Sequence, residues 1–376
     1  LAGIYLHIPY CKQKCHYCNF YTFSSTKYRN EFVNALIREI DLRKNYIKDD
    51  IVNTIYFGGG TPSILNIEEI NKITDHLKST FSINPEAEIT LEANPDDLDF
   101  TKLQNLKSET QINRLSIGIQ SFFDDDLKYL NRVHNGKNAT NAIENSLKAG
   151  FDNITIDLIY GIPGLTEKKW KENLRIFFDF NLNHLSSYSL TVEPKTVLNT
   201  LIKRKKLEGV NEEESIKHFK ILLEETEKNK FIHYEISNFA RESHYSKHNS
   251  IYWLGGNYCG FGPSAHSFNG VSRQWNVANM KAYIESENIS QIIFEKELLT
   301  PNQQYNEYVM TSLRTSWGCD LKHIENTFGK SYVNSFTSKT TILIAQNKMI
   351  KEGNIYRLSN MGKLFADGIA ADFFIF

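Results

Sequence analysis

From Gly3 to about Pro194 the chain alternates short β-branched runs with longer segments carrying apolar residues at helical spacing. The pattern predicts strands at Ile4–Ile8, Thr54–Phe57, Glu88–Glu92, Arg114–Ile119, Asn153–Ile159 and Leu185–Leu190. It predicts helices at Lys27–Arg43, Ile67–Phe81, Ala139–Ala149 and Glu167–Phe180. Six βα-type units in a row imply an α/β fold, a parallel sheet with its helices outside; periodicity leaves open whether the sheet closes. Each strand runs directly into a polar or glycine-rich cluster: three cysteines, then Gly58-Gly59-Gly60-Thr61-Pro62, Glu92-Ala93-Asn94-Pro95, Gln120-Ser121, Asp157 with Gly161–Gly164, and Thr191–Pro194. Chemistry in such folds sits at the carboxyl ends of the strands, so these clusters are expected to share one site.

The cysteines carry the most specific signal. Cys11, Cys15 and Cys18 have the spacing C-x3-C-x2-C on the connection after the first strand. Three thiolates can hold three irons of a [4Fe–4S] cubane and leave the fourth open to an external ligand. The competing reading is zinc with His7 or His16 as fourth ligand, but zinc sites usually pair two knuckles, and Cys259 and Cys319 stand apart. The glycines after the second strand separate the two readings, because consecutive glycines let backbone polar groups approach a ligand with no Cβ in the way.

Composition narrows the setting. The 376 residues are 41% hydrophobic and 23% charged, as a globular protein with a large core would be, and the formal net charge of −1 gives no positive field to attract a nucleic acid. No apolar run reaches the length of a membrane span, and the first residues read as a strand rather than a secretory signal. An odd count of five cysteines, three of them within eight positions, suits a metal site in a reducing compartment. The expected location is cytoplasmic.

Three segments are expected: a barrel core over 1–236, an aromatic and glycine-rich loop region over 237–298, and a C-terminal α+β domain over 299–376. A charged helical stretch, Lys203–Lys228, precedes a strand at Phe231–Ile236, and a long irregular segment runs from about Asn238 to Asn276. From Leu299 short helices and a hairpin at Met349–Leu358, turning at Gly353-Asn354, give a winged-helix-like outline with nearly balanced charge.

Taken together, these motifs resemble the radical SAM superfamily, and within it the oxygen-independent coproporphyrinogen III oxidase and heme chaperone HemW group. The resemblance covers nearly the whole chain, from Tyr5-Leu6-His7-Ile8-Pro9-Tyr10-Cys11 onward. It implies a partial (β/α)6-type barrel, a cluster on Cys11, Cys15 and Cys18, and S-adenosylmethionine (SAM) chelated at the open iron. Tyr5, Tyr17, Gly59, Gly60, Thr61, Glu92, Gln120, Arg132 and Asp157 match the group's SAM-contacting positions, and Ser189 matches more loosely. Gly60 and Thr61 suit the methionine amine or carboxylate, Arg132 its carboxylate, and Glu92 and Asp157 an ammonium or ribose hydroxyls. Glu92 could instead cap the following helix, and Arg132 could form a surface salt bridge.

Within the group, the departures favour the heme chaperones over the oxidases. Phe20 stands where the oxidases commonly carry a further cysteine, and the sequence begins three residues before Ile4, where the oxidases have an N-terminal arm. His248-Asn249-Ser250-Ile251-Tyr252-Trp253 matches the chaperones' H-N-x-x-Y-W motif. His248, Asn249, Tyr252 and Trp253 are therefore candidate heme contacts, with His244, His266 and Trp275 nearby in sequence. Histidine is a common axial ligand of heme iron; alternatively, His248 and Asn249 only tie the loop to the barrel mouth. Lys203-Arg204-Lys205-Lys206 could meet propionates or be a solvated helix face. The resemblance thus implies heme as cargo and a heme-acceptor protein as partner, with radical decarboxylation of coproporphyrinogen III as the alternative function.

Overall fold

Strand β1 (Ala2–Ile8) is buried on both faces along almost its whole length, as a central parallel strand must be. In the computed structural model, which describes residues 2–47, 50–286 and 294–376, it pairs in parallel with β2 (Val52–Gly59). β3 (Ile83–Ala93), β4 (Arg114–Gln120), β5 (Ile154–Tyr160) and β6 (His184–Ser189) follow in order, each parallel to its neighbour. Helices α1 (Arg29–Arg43), α2 (Ile67–Thr80), α3 (Phe100–Glu109), α4 (Asp124–Tyr129), α5 (Gly136–Lys148) and α6 (Glu167–Asp179) fill the crossovers.

The two faces of this sheet differ in chemistry because side chains alternate along each strand. One face presents Ile4, Leu6, Ile55, Phe57, Leu91, Leu115, Ile117, Ile156 and Leu158 to the main core. The other presents Tyr5, Tyr56, Glu92, Ser116, Thr155, Asp157, Ser186 and Tyr188, which line one cavity. Cross-strand register keeps the polar set together: Tyr5 lies opposite Tyr56, Glu92 opposite Ser116, and Asp157 opposite Ser186. The α/β fold expected from the alternation is what forms, a parallel six-stranded half-barrel with a polar concave face.

Local signals fix the helix starts. Asn66 caps α2 and Asn135 caps α5, each in a reciprocal capping box, and Thr166 caps α6. The stretch expected to be helical over Lys203–Lys228 starts on the last residue of α7 (Val197–Lys203), leaves the helix from Arg204 to Asn211, and is helical again in α8 (Glu212–Lys228). Asn211 restarts the chain by accepting from the backbone N–H groups of Glu213 and Glu214, and Lys203 to Lys206 lie exposed at the end of α7 and in the turn after it.

The segment expected to be irregular is largely ordered into elements. After β7 (Ile232–Glu235) it contains β8 (Asn238–Ala240), α9 (Lys247–Trp253), β9 (Asn257–Phe261), β10 (His266–Phe268) and β11 (Ser272–Asn276), and α10 (Met280–Glu285) follows. β9 adds in parallel to β1, and β10, β11 and β12 (Phe294–Leu298) extend that side; β8 and β7 close the other after β6. Strands of three to five residues are too short for a period of two to register, and here pairing with long neighbours creates them. Glu39 of α1 pins the extension: it accepts from Arg43, Asn276, Tyr283 and the N–H of Gly262.

Beyond residue 299, α11 (Pro301–Leu313), β13 (Cys319–Asp320), α12 (Leu321–Phe328), α13 (Lys330–Ala345), β14 (Met349–Glu352), β15 (Ile355–Leu358), α14 (Asn360–Lys363) and α15 (Ala366–Asp372) gather around a second core that includes Tyr305, Val309, Ile324, Phe336 and Phe373. The hairpin β14–β15 turns where the sequence places it. Among the described residues no helix is long and apolar enough to cross a membrane.

Candidate functional site

The cysteine loop leaves β1 and is tied down by main-chain bonds. Cys11 N–H donates to Phe23 O at 3.2 Å and Phe23 N–H to Pro9 O at 2.6 Å. In its middle, His16 N–H donates to Leu130 O, and its carbonyl accepts from Leu198 N–H at 2.7 Å. The loop is thereby held between the chain following α4 and the start of α7. Cys11, Cys15 and Cys18, all half-buried, line the rim of a cavity of about 570 Å³.

The donor set suits a polynuclear cluster. Burial raises the Cys11 thiol to about 11 and also raises Cys18, so thiolates here need positive charge beside them. Two groups are aimed at sulfur: the Thr61 hydroxyl donates to Cys11 Sγ at 3.4 Å and Arg132 Nη1 to Cys15 Sγ at 3.4 Å. Among the described residues no three His, Cys, Asp or Glu side chains converge on a single ion. Both ring nitrogens of His7 are engaged, with Tyr5 Oη and Tyr21 O, so it offers zinc no lone pair, while His16 Nδ1 bonds Tyr129 O. Cys259 lies in the main core and Cys319 in the C-terminal core, both fully buried.

Every residue matched to SAM contacts lines this cavity: Tyr5, Tyr17, Gly59, Gly60, Thr61, Glu92, Gln120, Arg132, Asp157 and Ser189. Glu92 accepts from Tyr56 Oη at 2.7 Å and from Gly59 N–H at 3.0 Å; it does not cap the next helix. Burial raises its pKa against those two bonds. Asp157 is raised to about 7 by burial and then by Glu92, with Arg132 and Ser186 opposing. Arg132 makes no surface salt bridge: Nη2 donates to Asn94 Oδ1 at 2.8 Å and to Gly118 O at 2.7 Å. Its guanidinium therefore brings a positive charge to the cysteine side of the cavity, bonded to neutral oxygens and to Cys15 rather than to a carboxylate. Gln120 sits at φ 66° at the end of β4, a left-handed conformation costly for a residue with a Cβ, and its Oε1 accepts from Tyr188 Oη at 3.3 Å.

The glycines are needed by the fold as well as by a ligand. A Cβ on Gly60 would lie 2.6 Å from Tyr10 O and 2.8 Å from Ile8 O, and one on Gly59, at φ 106°, would strike the His7 ring at 2.5 Å. The triple glycine lets β2 pass closely beside the chain that enters the cysteine loop.

The H-N-x-x-Y-W segment is placed differently from expectation. It is helix α9, not a loop at the barrel mouth, and it packs at the amino ends of β1 and β2. His248, Asn249 and Tyr252 line the deep end of the cavity, but Trp253 does not; its ring lies 5.5 Å from the Arg314 guanidinium. Both ring nitrogens of His248 are engaged, Nδ1 with Thr54 Oγ1 at 2.7 Å and Nε2 with Tyr252 Oη at 2.8 Å, and burial lowers its pKa to about 3. His244 and His266 are exposed and lie outside the cavity lining.

Sequence reasoning missed Tyr56, Ser116, Thr155, Ser186 and Tyr188, which also line the cavity. Strand parity was the available signal, since all five fall on the cavity-facing phase that also carries Glu92 and Asp157.

Comparison with known proteins bears on the family of the chain. The radical SAM superfamily profile matches residues 5–177 and the HemN C-terminal domain profile matches residues 299–365. The chain is 34% identical over 382 aligned positions to the heme chaperone HemW of Bacillus subtilis, covering 99% of both chains. It is 30% identical to the heme chaperone HemW of Lactococcus lactis, covering 95% of this chain and 93% of that one. The coproporphyrinogen III oxidase HemN of Escherichia coli, a radical SAM enzyme, superposes with a TM-score of 0.84 over 99% of this chain and 89% of its own at 21% identity, a likeness of fold. With 34% identity along the whole length of one relative and profiles matched at its N-terminal and C-terminal parts, the chain belongs to the radical SAM superfamily and, within it, to the coproporphyrinogen III oxidase-like family that includes the heme chaperones HemW.

Proposed function

We propose that this protein is a heme chaperone that holds a [4Fe–4S] cluster on Cys11, Cys15 and Cys18, binds SAM beneath it, and passes heme to an acceptor protein. The observation that carries the cofactor part is the meeting of three thiols, the Arg132 guanidinium and the Glu92 and Asp157 carboxyls around one cavity. When bound, cluster and SAM supply one-electron cleavage of a sulfonium C–S bond. The chain's own residues orient the ligand. Arg132 provides positive charge for a carboxylate and Glu92 accepts from an ammonium, while Asp157 and Gln120 offer hydrogen bonds deeper in the cavity.

Support for heme as cargo comes from relatives named as heme chaperones at 34% and 30% identity and from the cavity rim. Phe20, two residues past Cys18, is 61% exposed beside the opening. An aromatic face there suits stacking on a porphyrin. The test is a hemin titration of the cluster-loaded protein beside anaerobic incubation with coproporphyrinogen III, SAM and a reductant. Stoichiometric hemin binding with no decarboxylation is expected. Efficient formation of protoporphyrinogen IX would replace this reading with the oxidase.

A further inference from the structure

The H-N-x-x-Y-W helix and the cysteine loop sit at opposite ends of the sheet. His248 bonds Thr54, the third residue of β2, and a Cβ on Gly3, near the start of β1, would come within 3.2 Å of its Nδ1. Thr54 precedes Gly59 by five residues, roughly 17 Å of extended strand. The backbone at Gly59–Thr61 is thus distant from the imidazole at the other end of the cavity, yet a short group of rings connects the two. The His248 ring stacks on Tyr56 with centroids 4.9 Å apart and planes at 20°. Tyr5 lies against both, 6.1 Å from Tyr56 and 6.4 Å from His248, at 22° and 25°. Tyr56 Oη then donates to Glu92 Oε1, while Gly59 N–H holds Oε2.

This arrangement fixes each member in turn. Thr54 and Tyr252 bond both His248 nitrogens and so set the plane of the imidazole. The imidazole supports the Tyr56 ring from the deep side, and the Tyr56 hydroxyl orients a carboxylate whose charge burial disfavours. A hydrogen bond to a charged or buried carboxylate is among the stronger kinds, so the position of the phenol matters to whatever Glu92 meets in the cavity.

We propose that His248 is a positioning residue for SAM: stacked beneath Tyr56 and Tyr5, it places the phenol that orients Glu92. The inference rests on the reading above that Glu92 faces SAM. It gives the motif histidine a role that uses both ring nitrogens within the protein and leaves neither for heme iron.

Calorimetric titration of the anaerobically reconstituted full chain with SAM tests this, with a parallel hemin titration and thermal unfolding of each variant. Glu92→Gln establishes that the carboxylate senses SAM. Tyr56→Phe and His248→Ala should each weaken SAM binding on the order of ten- to a hundredfold, and the double variant should bind no more weakly than Tyr56→Phe alone. His248→Phe restores a ring beneath Tyr56 but leaves Thr54 and Tyr252 without their partner. It should melt earlier than the parent and still recover most of the affinity lost in His248→Ala, a combination that a purely structural role would not give. Wild-type SAM affinity in His248→Ala, alongside a lowered melting temperature, would overturn the proposal and leave the histidine a structural latch. Loss of hemin binding with SAM binding intact would overturn it in favour of heme ligation. If Glu92→Gln binds SAM as the parent does, or the parent does not bind SAM, the placement of SAM fails and this inference fails with it.

Discussion

Arg132 and Cys15 stand 117 residues apart in sequence, and the guanidinium reaches the sulfur at 3.4 Å while also gripping Asn94 and the carbonyl of Gly118. One side chain thus joins the cysteine loop to the ends of β3 and β4. Arg132→Ala should lower SAM affinity on the order of tenfold or more, because a charge-assisted partner is lost. The three thiols remain in Arg132→Ala, so the cluster should still assemble. Arg132→Lys keeps the charge without the planar fork and should fall between the two. Iron analysis together with a SAM titration reads both effects; unchanged SAM affinity in Arg132→Ala would remove the residue from the site.

Replacing Cys11, Cys15 or Cys18 with Ala should abolish the broad visible absorption of the reconstituted protein and its content of about four irons. Cys259→Ala and Cys319→Ala should keep the full complement, since each thiol is buried in a core away from the cavity. Iron and sulfide assays decide it, and tetrahedral zinc in place of iron would reject the cluster assignment.

Gly60→Ala should do more than weaken a ligand. The added Cβ meets the carbonyls of Tyr10 and Ile8, so the backbone entering Cys11 must move. A destabilisation of about 1–3 kcal/mol is expected, with reduced iron loading as well as reduced SAM affinity. Urea unfolding and iron assays on the same preparation check this. Normal iron loading with only SAM affinity lost would return Gly60 to a purely ligand-facing role.

The pH dependence of the cofactor-free protein should carry the signature of Asp157. Its carboxyl lies at about 7 when folded, against an ordinary 3.8. Between those values the folded chain keeps a proton that the unfolded chain has released. Its contribution to stability is therefore full below about pH 4, falls as pH rises through the window, and is lost above 7. Asp157→Asn should remove this slope and be more stable than the parent at pH 8, by on the order of a few kcal/mol. Urea unfolding of both proteins from pH 5 to 8 gives the difference directly; parallel profiles would show that the carboxyl titrates normally.

Phe20→Ser should weaken hemin binding about tenfold, as expected for losing much of one aromatic contact. Cluster content and SAM affinity should stay at parent levels, because Phe20 is 61% exposed and is neither a cluster cysteine nor a residue matched to SAM. Equal hemin affinity in both proteins would move the heme surface elsewhere.

The half-barrel was legible because its strands are long enough to show their period and each ends in an unmistakable cluster. The cavity-matching residues were legible for the same reason: Gly59, Glu92, Gln120 and Asp157 all stand on or at the ends of predicted strands. The Asn238–Asn276 segment was not. β8 and β10 have three residues each, and only pairing, of β8 with β6 and β7 and of β10 with β9 and β11, gives them a conformation. The placement of His248 was equally hidden, since nothing local says that α9 turns back under β1 and β2. The reason for the triple glycine needed the chain to be folded, because the atoms that exclude a side chain at Gly60 belong to residues some fifty positions earlier.

Besides the bonds its thiolates would make to a cluster, the cysteine loop is held by main-chain and side-chain atoms of the protein: Phe23 at its root, Leu130 and Leu198 at His16, and Asn131 reaching the carbonyl of Lys14. None of these protein contacts depends on iron. A chain stripped of its cluster by oxygen should keep the mould in which the cluster sat, so damage would be a matter of replenishment rather than of refolding. The protein's working life would then be set by how quickly iron and sulfide are resupplied, and the same polypeptide could serve repeatedly after oxidative loss.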